Sequence, residues 1–242
     1  ALWSTAPGRA LDYPAVAAIR FFENHGMLGF GRFRWRTVTG GSREYVDRIA
    51  ARLGDGLRLG TPVRSVCRDP GGAFVRTDDD VRHVFDHVVV ATHADQALAL
   101  LEDATPAERS TLGAFAYTQN ETVLHTDSSF LPRARRARSS WNYRLGDDGK
   151  PTVTYHLNRL QGLAADRDYC VTLNEHVPEE HVLGRFRYAH PLFTVESLRA
   201  QRALPQLPDA TTSFAGADFG NGFHEDGLAS GVAAARRLGV EW

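Results

Sequence analysis

The chain has 242 residues, 43% of them hydrophobic and 24% charged, and carries a formal net charge of −1. That length and apolar content suffice for one large or two small packed domains, and a pI of about 6.9 gives no global reason to expect nucleic acid or anionic lipid as partner. No apolar run approaches the ~20 residues that a membrane-spanning helix needs. The opening stretch, Ala1 to Phe22, has no basic segment ahead of an apolar one, so it does not read as a secretory signal. The chain starts without Met, as if in mid-sequence, and is expected to be cytoplasmic and cut. Cys67 and Cys170 lie far apart in alternating apolar runs and read as buried, reduced thiols.

In chain order, Pro14 to Asn24 predicts a helix with Gly26 as its stop, and Ser42 to Leu53 a second. In the second, Tyr45, Val46, Ile49 and Leu53 share a face, with Ser42 as N-cap and Gly54 as terminator. Short strands are expected at 57–59, 63–67, 73–77 and 81–85, separated by Gly, Pro and Asp. The apolar centre of 87–92 predicts a strand covered on both faces. Helical spacing resumes over 94–101. Longer alternating strands follow at 115–125, 138–145, 151–157 and 169–174, with a turn at Gly146-Asp147-Asp148-Gly149, which suggests an antiparallel sheet. A helix at 195–204, a strand at 211–215, a glycine-rich loop and a last helix over about 227–238 complete the chain.

That last unit is the strongest chemical signal. The loop bears Gly216, Gly220 and Gly222 and runs into a helix near Gly227. Glycines let a backbone approach a ligand closely, and a helix start presents N–H groups and partial positive charge to an anion. A tightly packed strand–loop–helix connection without any ligand explains the same residues equally well. The segment is not a dinucleotide fingerprint, because Glu225 stands where the third glycine of Gly220-Asn221-Gly222 would fall.

Phe214-Ala215-Gly216-Ala217-Asp218 followed by Gly222-Phe223-His224-Glu225-Asp226-Gly227 resembles the C-terminal flavin-binding motif of FAD-dependent amine oxidases and desaturases. Three more segments are similar to parts of that family: the double-glycine turn Gly40-Gly41 before a helix, Thr61-Pro62-Val63, and the strand Phe85 to Gln96 that returns to the FAD domain. A bacterial subgroup of NAD/FAD-binding, amine-oxidase-like proteins shows HADQAL, SWNY and GFHEDGL in the order found here. The resemblance implies a mixed α/β (α+β) fold in which an FAD-binding-type sheet layer, 37–95 and 206–242, carries an inserted, mainly antiparallel substrate-domain sheet. Residues 1–36 and 96–205 form the substrate-domain part. It implies FAD as cofactor, with Val63 contacting adenine through its backbone. Gly216 and Asp218 would lie near the diphosphate and ribityl chain, and Gly222, Phe223, His224, Glu225, Asp226 and Gly227 near the flavin. Asp226 reads equally as a helix N-cap.

The implied reaction is hydride transfer from a substrate C–H to flavin, with a small molecule as substrate. Trp141, Asn142, Tyr143, Tyr155, His156 and Asn158 supply aromatic and hydrogen-bonding groups for its pocket. Two departures matter. The G-x-G-x-x-G unit of an N-terminal Rossmann segment, which holds the FAD pyrophosphate in such enzymes, does not occur in this sequence, so the chain by itself is expected to retain no FAD and to be inactive. Its one lysine, Lys150, sits in a turn and not where many amine oxidases hold a water near the flavin. No catalytic residue is identified.

Other constellations carry less. His83 and His87 are four apart in strand-like sequence, where four residues span about 13 Å, so no metal is expected. No G-x-S-x-G elbow occurs. Arg133, Arg135, Arg136 and Arg138 form a basic run that reads as a solvated loop or as a weak, peripheral contact to phosphate groups. The alternative to a flavoenzyme is a catalytically silent, truncated module that binds a hydrophobic or lipid ligand.

Overall fold

The computed structural model describes residues 13–29, 36–146, 151–207 and 211–241. Residues 1–12, 30–35, 147–150 (the expected turn, with Lys150), 208–210 and 242 lie outside them. Among the described residues no helix is long and apolar enough to cross a membrane. The fold is mixed α/β, and the chain divides into two compact units.

One unit takes residues 12–28, 58–116 and 191–242. Strands β1 (Val63–Asp69), β2 (Gly72–Thr77) and β3 (Arg82–Phe85) form an antiparallel meander. Its turns follow from Asx chemistry: the Asp69 carboxylate accepts the Gly71 N–H at 2.7 Å, and Asp79 accepts the Thr77 hydroxyl at 2.6 Å. A second sheet pairs β4 (Val88–Val90) in parallel with β10 (Thr212–Phe214). The His87 imidazole beside the Ser213 hydroxyl (3.1 Å) adds a side-chain tie at the entry to that pair. Helices α1 (Ala15–Asn24), α3 (Ala94–Leu100), α4 (Pro106–Leu112), α6 (Val195–Ala203) and α7 (His224–Arg237) belong to the same unit.

One ion-pair network ties these pieces together. The Arg68 guanidinium, at the end of β1, donates to both Glu108 oxygens, to Asp103 and to the Thr212 hydroxyl at 3.1 Å. Glu108 is fully buried and also accepts the Thr105 N–H at 2.7 Å, closing a capping box on α4. Burial alone would raise the Glu108 carboxyl, but the Arg68 and Thr105 donors outweigh it and hold it below the usual carboxylate range. For Asp103 too, burial is outweighed by Arg68, and its carboxyl is held low.

The other unit takes the described residues of 29–57 and 117–190. Its five-stranded sheet has the order β6 (Trp141–Leu145), β7 (Pro151–His156), β8 (Cys170–Leu173), β5 (Ala116–His125), β9 (Val182–Leu192). The β6–β7, β7–β8 and β5–β8 pairs are antiparallel. Opposite residues share a face: Trp141 with Tyr155, and Asn142 with Thr154 and Thr172. The second face is a buried polar ladder: the His125 imidazole meets the Thr172 hydroxyl at 2.8 Å, and Thr172 meets Thr154 at 2.8 Å. Val123, Phe130 and Val177 pack as an apolar cluster. Burial holds His125 towards its neutral form and pushes the Cys170 thiol up to about 12. Helices α2 (Arg43–Leu53) and α5 (Leu157–Gln161) complete the unit.

Several expectations need correction. Residues 57–59 form no strand, and Leu59 is 81% exposed. The β4 run is not covered on both faces among the described residues: Val90 is buried while Val89 is 39% exposed. The strand expected from 138 starts at Trp141, because a 3₁₀ turn over Arg135–Ala137 precedes it. The last helix starts at His224, three residues early, because Asp226 caps the Phe223 N–H. Three elements were not read from the sequence: α4, the five-residue α5 and the eleven-residue β9. Gly184 and Pro191 obscure β9, and Pro191 is tolerated because the strand lies at the sheet edge.

Glu108→Gln should cost about 3 kcal/mol, the range expected when one partner of a buried pair is removed. Because the folded-state carboxyl is depressed, Glu108 stabilises the protein above its unfolded pKa of about 4.3, and that contribution is lost as pH falls through the folded value. Denaturant melts should therefore show a shallower acid slope in the variant than in the parent; equal slopes would remove Glu108 from the account. Thiol labelling of the native protein near neutral pH should modify Cys67 and spare Cys170 until unfolding; equal labelling rates would contradict the burial of Cys170.

Candidate functional site

The site begins where β10 ends. Its last ladder bond runs from the Ala215 N–H to the Val90 carbonyl at 3.0 Å. The backbone then enters a 3₁₀ turn, Ala217–Phe219, and reaches α7 through Gly220, Asn221, Gly222 and Phe223. The loop is held from both sides. The Gly216 N–H donates to Ser230 Oγ at 2.9 Å, and Gln201 Nε2 donates to the carbonyls of Asp218 (2.9 Å) and Gly220 (2.6 Å).

The loop glycines have local causes. A Cβ at Gly216 would overlap the Asp218 carboxylate. A Cβ at Gly220 would lie 2.7 Å from the Asp226 Cβ and 2.8 Å from its Cγ, closer than side chains tolerate. Gly222 has φ +88°, a conformation that L residues rarely adopt, and its open face lies against the Phe193 ring. The Asp226 carboxylate is occupied within the chain, accepting the Phe223 N–H and the Asn221 amide, each at 3.0 Å. It stands at the third helical position, not at the N-cap.

This start shifts the donor set. The Gly227 N–H already donates to the Phe223 carbonyl at 3.1 Å, so it makes the first intrahelical bond. The N–H groups of His224, Glu225 and Asp226 precede that first intrahelical bond. Gly222 through Glu225 are exposed, Asp226 and Gly227 half-buried, and Asp218 buried. Phe223 joins an aromatic group with Phe21 (5.9 Å) and His25 (5.5 Å) of the α1 region, its ring tilted against both. The sequence reading missed Phe21 and His25, and no local signal marks them. Val63 belongs to the unit's other sheet, at the start of β1, with its side chain 38% exposed. A cavity of about 190 Å³ between β10, α6 and α7 is lined by Gln201, Thr212, Phe214, Phe219 and Ala234. It falls below the ~300–1,000 Å³ of small-molecule pockets, and none of the nominated residues lines it.

In the sheet unit the six nominated substrate-side residues divide. Trp141, Tyr143 and Tyr155 stand on one face, where burial raises the Tyr155 phenol. Asn142 and His156 stand on the opposite face and are buried. Asn142 is fully engaged with the backbone of Ser139 and Thr154. His156 Nε2 donates to Asp168 Oδ1 at 2.9 Å, and Asp168 also accepts from Arg138 Nη1 at 2.8 Å. Asn158, in α5, braces the following loop through the Arg167 carbonyl and the Tyr169 N–H, each at 2.7 Å. No resolved cluster of three His, Cys, Asp or Glu could hold a metal among the described residues.

Taken with its antiparallel sheets, this is a mixed α/β fold similar to that of FAD-dependent amine oxidases. A sequence model of the flavin-containing amine oxidoreductases matches residues 14–186, and the chain belongs to that family. Among solved structures it is similar to putrescine oxidase bound to putrescine, with 16% identity and a TM-score of 0.61 over 84% of this chain and 54% of that one. A fatty acid isomerase from P. acnes that produces CLA gives 15% and 0.62, over 94% of this chain and 59% of that one. Cyclohexylamine oxidase from Brevibacterium oxydans IH-35A gives 15% and 0.57, over 83% and 53%. The chain therefore spans somewhat more than half the length of each.

Gly220→Ala should lower thermal stability by displacing the Asp226 cap. Gly231→Ala, inside α7 with open space around it, should raise stability by about 0.5–1 kcal/mol. Melting curves that order the two variants the other way would contradict the packing of this loop.

Proposed function

We propose that this chain carries the isoalloxazine-side part of a flavin-dependent oxidoreductase, with a small molecule as substrate. The observation that supports it most is the loop from Gly216 into the exposed start of α7, in a chain of the flavin-containing amine oxidoreductase family. The loop chemistry suits the ring and ribityl end of FAD. N–H groups of His224, Glu225 and Asp226 precede the first intrahelical bond, and the helix dipole adds partial positive charge. Those positions would face the negative edge of the ring, while the exposed Glu225 would accept from hydroxyls. The same loop does not suit the diphosphate: it is acidic, and no lysine or arginine occurs between Arg202 and Arg236. Val63 meets the adenine side through its backbone.

When bound, the flavin supplies a two-electron acceptor for hydride from a substrate C–H. The chain's own task is to position donors at the ring edge where negative charge develops. The flavin side includes 58–95 and 206–242, and the substrate side includes 117–190 with the Trp141, Tyr143 and Tyr155 face. A cytoplasmic setting accords with the same reading.

The chain as it stands should quench riboflavin and FAD fluorescence with similar, weak affinity, because the ring and ribityl they share carry the binding and the adenine contact at the Val63 backbone adds less than about tenfold. Gly227→Val should weaken both, while Arg136→Ala in the arginine run should weaken neither. FAD binding more than about tenfold tighter than riboflavin would mean that these residues do hold the diphosphate. No quenching of either would remove the site.

A further inference from the structure

We infer that the sheet unit carries a separate site for a phosphate monoester, formed by Arg135, Arg138, Arg159 and Arg167. These arginines line one open cleft of about 400 Å³, together with His156 and Asp168. They come from three segments: the 3₁₀ turn Arg135–Ala137 and the residue after it, the helix α5, and the loop that leads to β8. The cleft is a built feature of the fold. Arg138 is half-buried, its Nε donating to the Pro132 carbonyl at 3.0 Å and its Nη1 to Asp168 at 2.8 Å. Asp168 is held in turn by His156, and Asn158 fixes the loop that presents Arg167.

The charge balance selects the ligand. Four guanidinium groups face two carboxylates, Asp166 and Asp168, and Asp168 is committed to Arg138 and His156. Arg135, Arg159 and Arg167 have no carboxylate partner among the described residues, although like charges in one cleft repel. An excess of two positive charges matches a phosphate monoester, which carries about −1.5 to −2 near pH 7. Several guanidinium forks also suit an anion with three terminal oxygens better than a lone carboxylate, which one arginine satisfies. The phosphate belongs to a soluble metabolite or to a lipid headgroup; both present the same chemistry to this cleft. The site stands apart from the flavin reading, since none of its arginines enters that argument.

Isothermal titration of the full chain with inorganic phosphate at low ionic strength tests it. Saturable binding at one site is expected, weakened about tenfold or more in R159Q/R167Q, since each loses a charge-assisted donor. Both arginines are exposed, so the variant should keep the parent's melting temperature; R135Q provides a second, independent removal from a different segment of the cleft lining. No saturable uptake, or unchanged affinity in both variants, would overturn the site. Sedimentation with phosphatidylcholine vesicles containing phosphatidic acid then separates the sources. Co-sedimentation that inorganic phosphate competes away assigns a headgroup, and its absence alongside retained phosphate binding assigns a soluble monoester.

Discussion

Arg68 is the constraint on which the unit of residues 12–28, 58–116 and 191–242 rests. Its guanidinium joins β1 to the loop before α4, to α4 itself and to β10, and the Thr212 contact links residues 144 apart in sequence. A charge this buried is costly unless every donor is used. Here Glu108, Asp103 and Thr212 use them, and the Thr105 cap orients Glu108 as well. β10 is only three residues long and has one strand neighbour among the described residues, so its place depends on what holds its side chains. Thr212 and Ser213 supply two such ties, to Arg68 and to His87.

From that fixed strand the loop follows by packing alone. Gly216 and Gly220 leave room for the carboxylates of Asp218 and Asp226, and Gly222 turns the chain against Phe193. Asp226 then starts the helix by accepting the Phe223 N–H, and the next three N–H groups precede the first intrahelical bond. Two explanations of the glycines, close internal packing and close approach to a ligand, thus act on different atoms. The glycine α-carbons are accounted for inside the chain, whereas the residues at the helix start, Gly222 to Glu225, are exposed.

Much of this was legible in the sequence, and the remainder was hidden for identifiable reasons. Periodicity located α1, α2 and α6 to within a residue, because apolar spacing is local, although Ser42 at the start of α2 makes no side-chain capping bond. The Thr105–Pro106–Glu108 signature of α4 was equally local and was overlooked. The division of Trp141 and Tyr143 from Asn142 was implicit in strand parity, but aligning them with Tyr155 and His156 needed the hairpin register. The Arg138–Asp168–His156 contact depends on β7 and β8 becoming neighbours, which no local pattern reveals. For the same reason the arginine run read as a solvated loop: its partners, Arg159 and Arg167, lie in a different segment.

The central claim is that the start of α7 is where this chain meets a flavin ring. Amide chemical-shift mapping of the labelled chain during riboflavin addition tests it most directly. The account predicts the largest shifts at Gly222 to Asp226, with the amides of Val63 and of Trp141 to Tyr143 changing less. Shifts concentrated elsewhere, with 222–226 unmoved at saturating riboflavin, would contradict it.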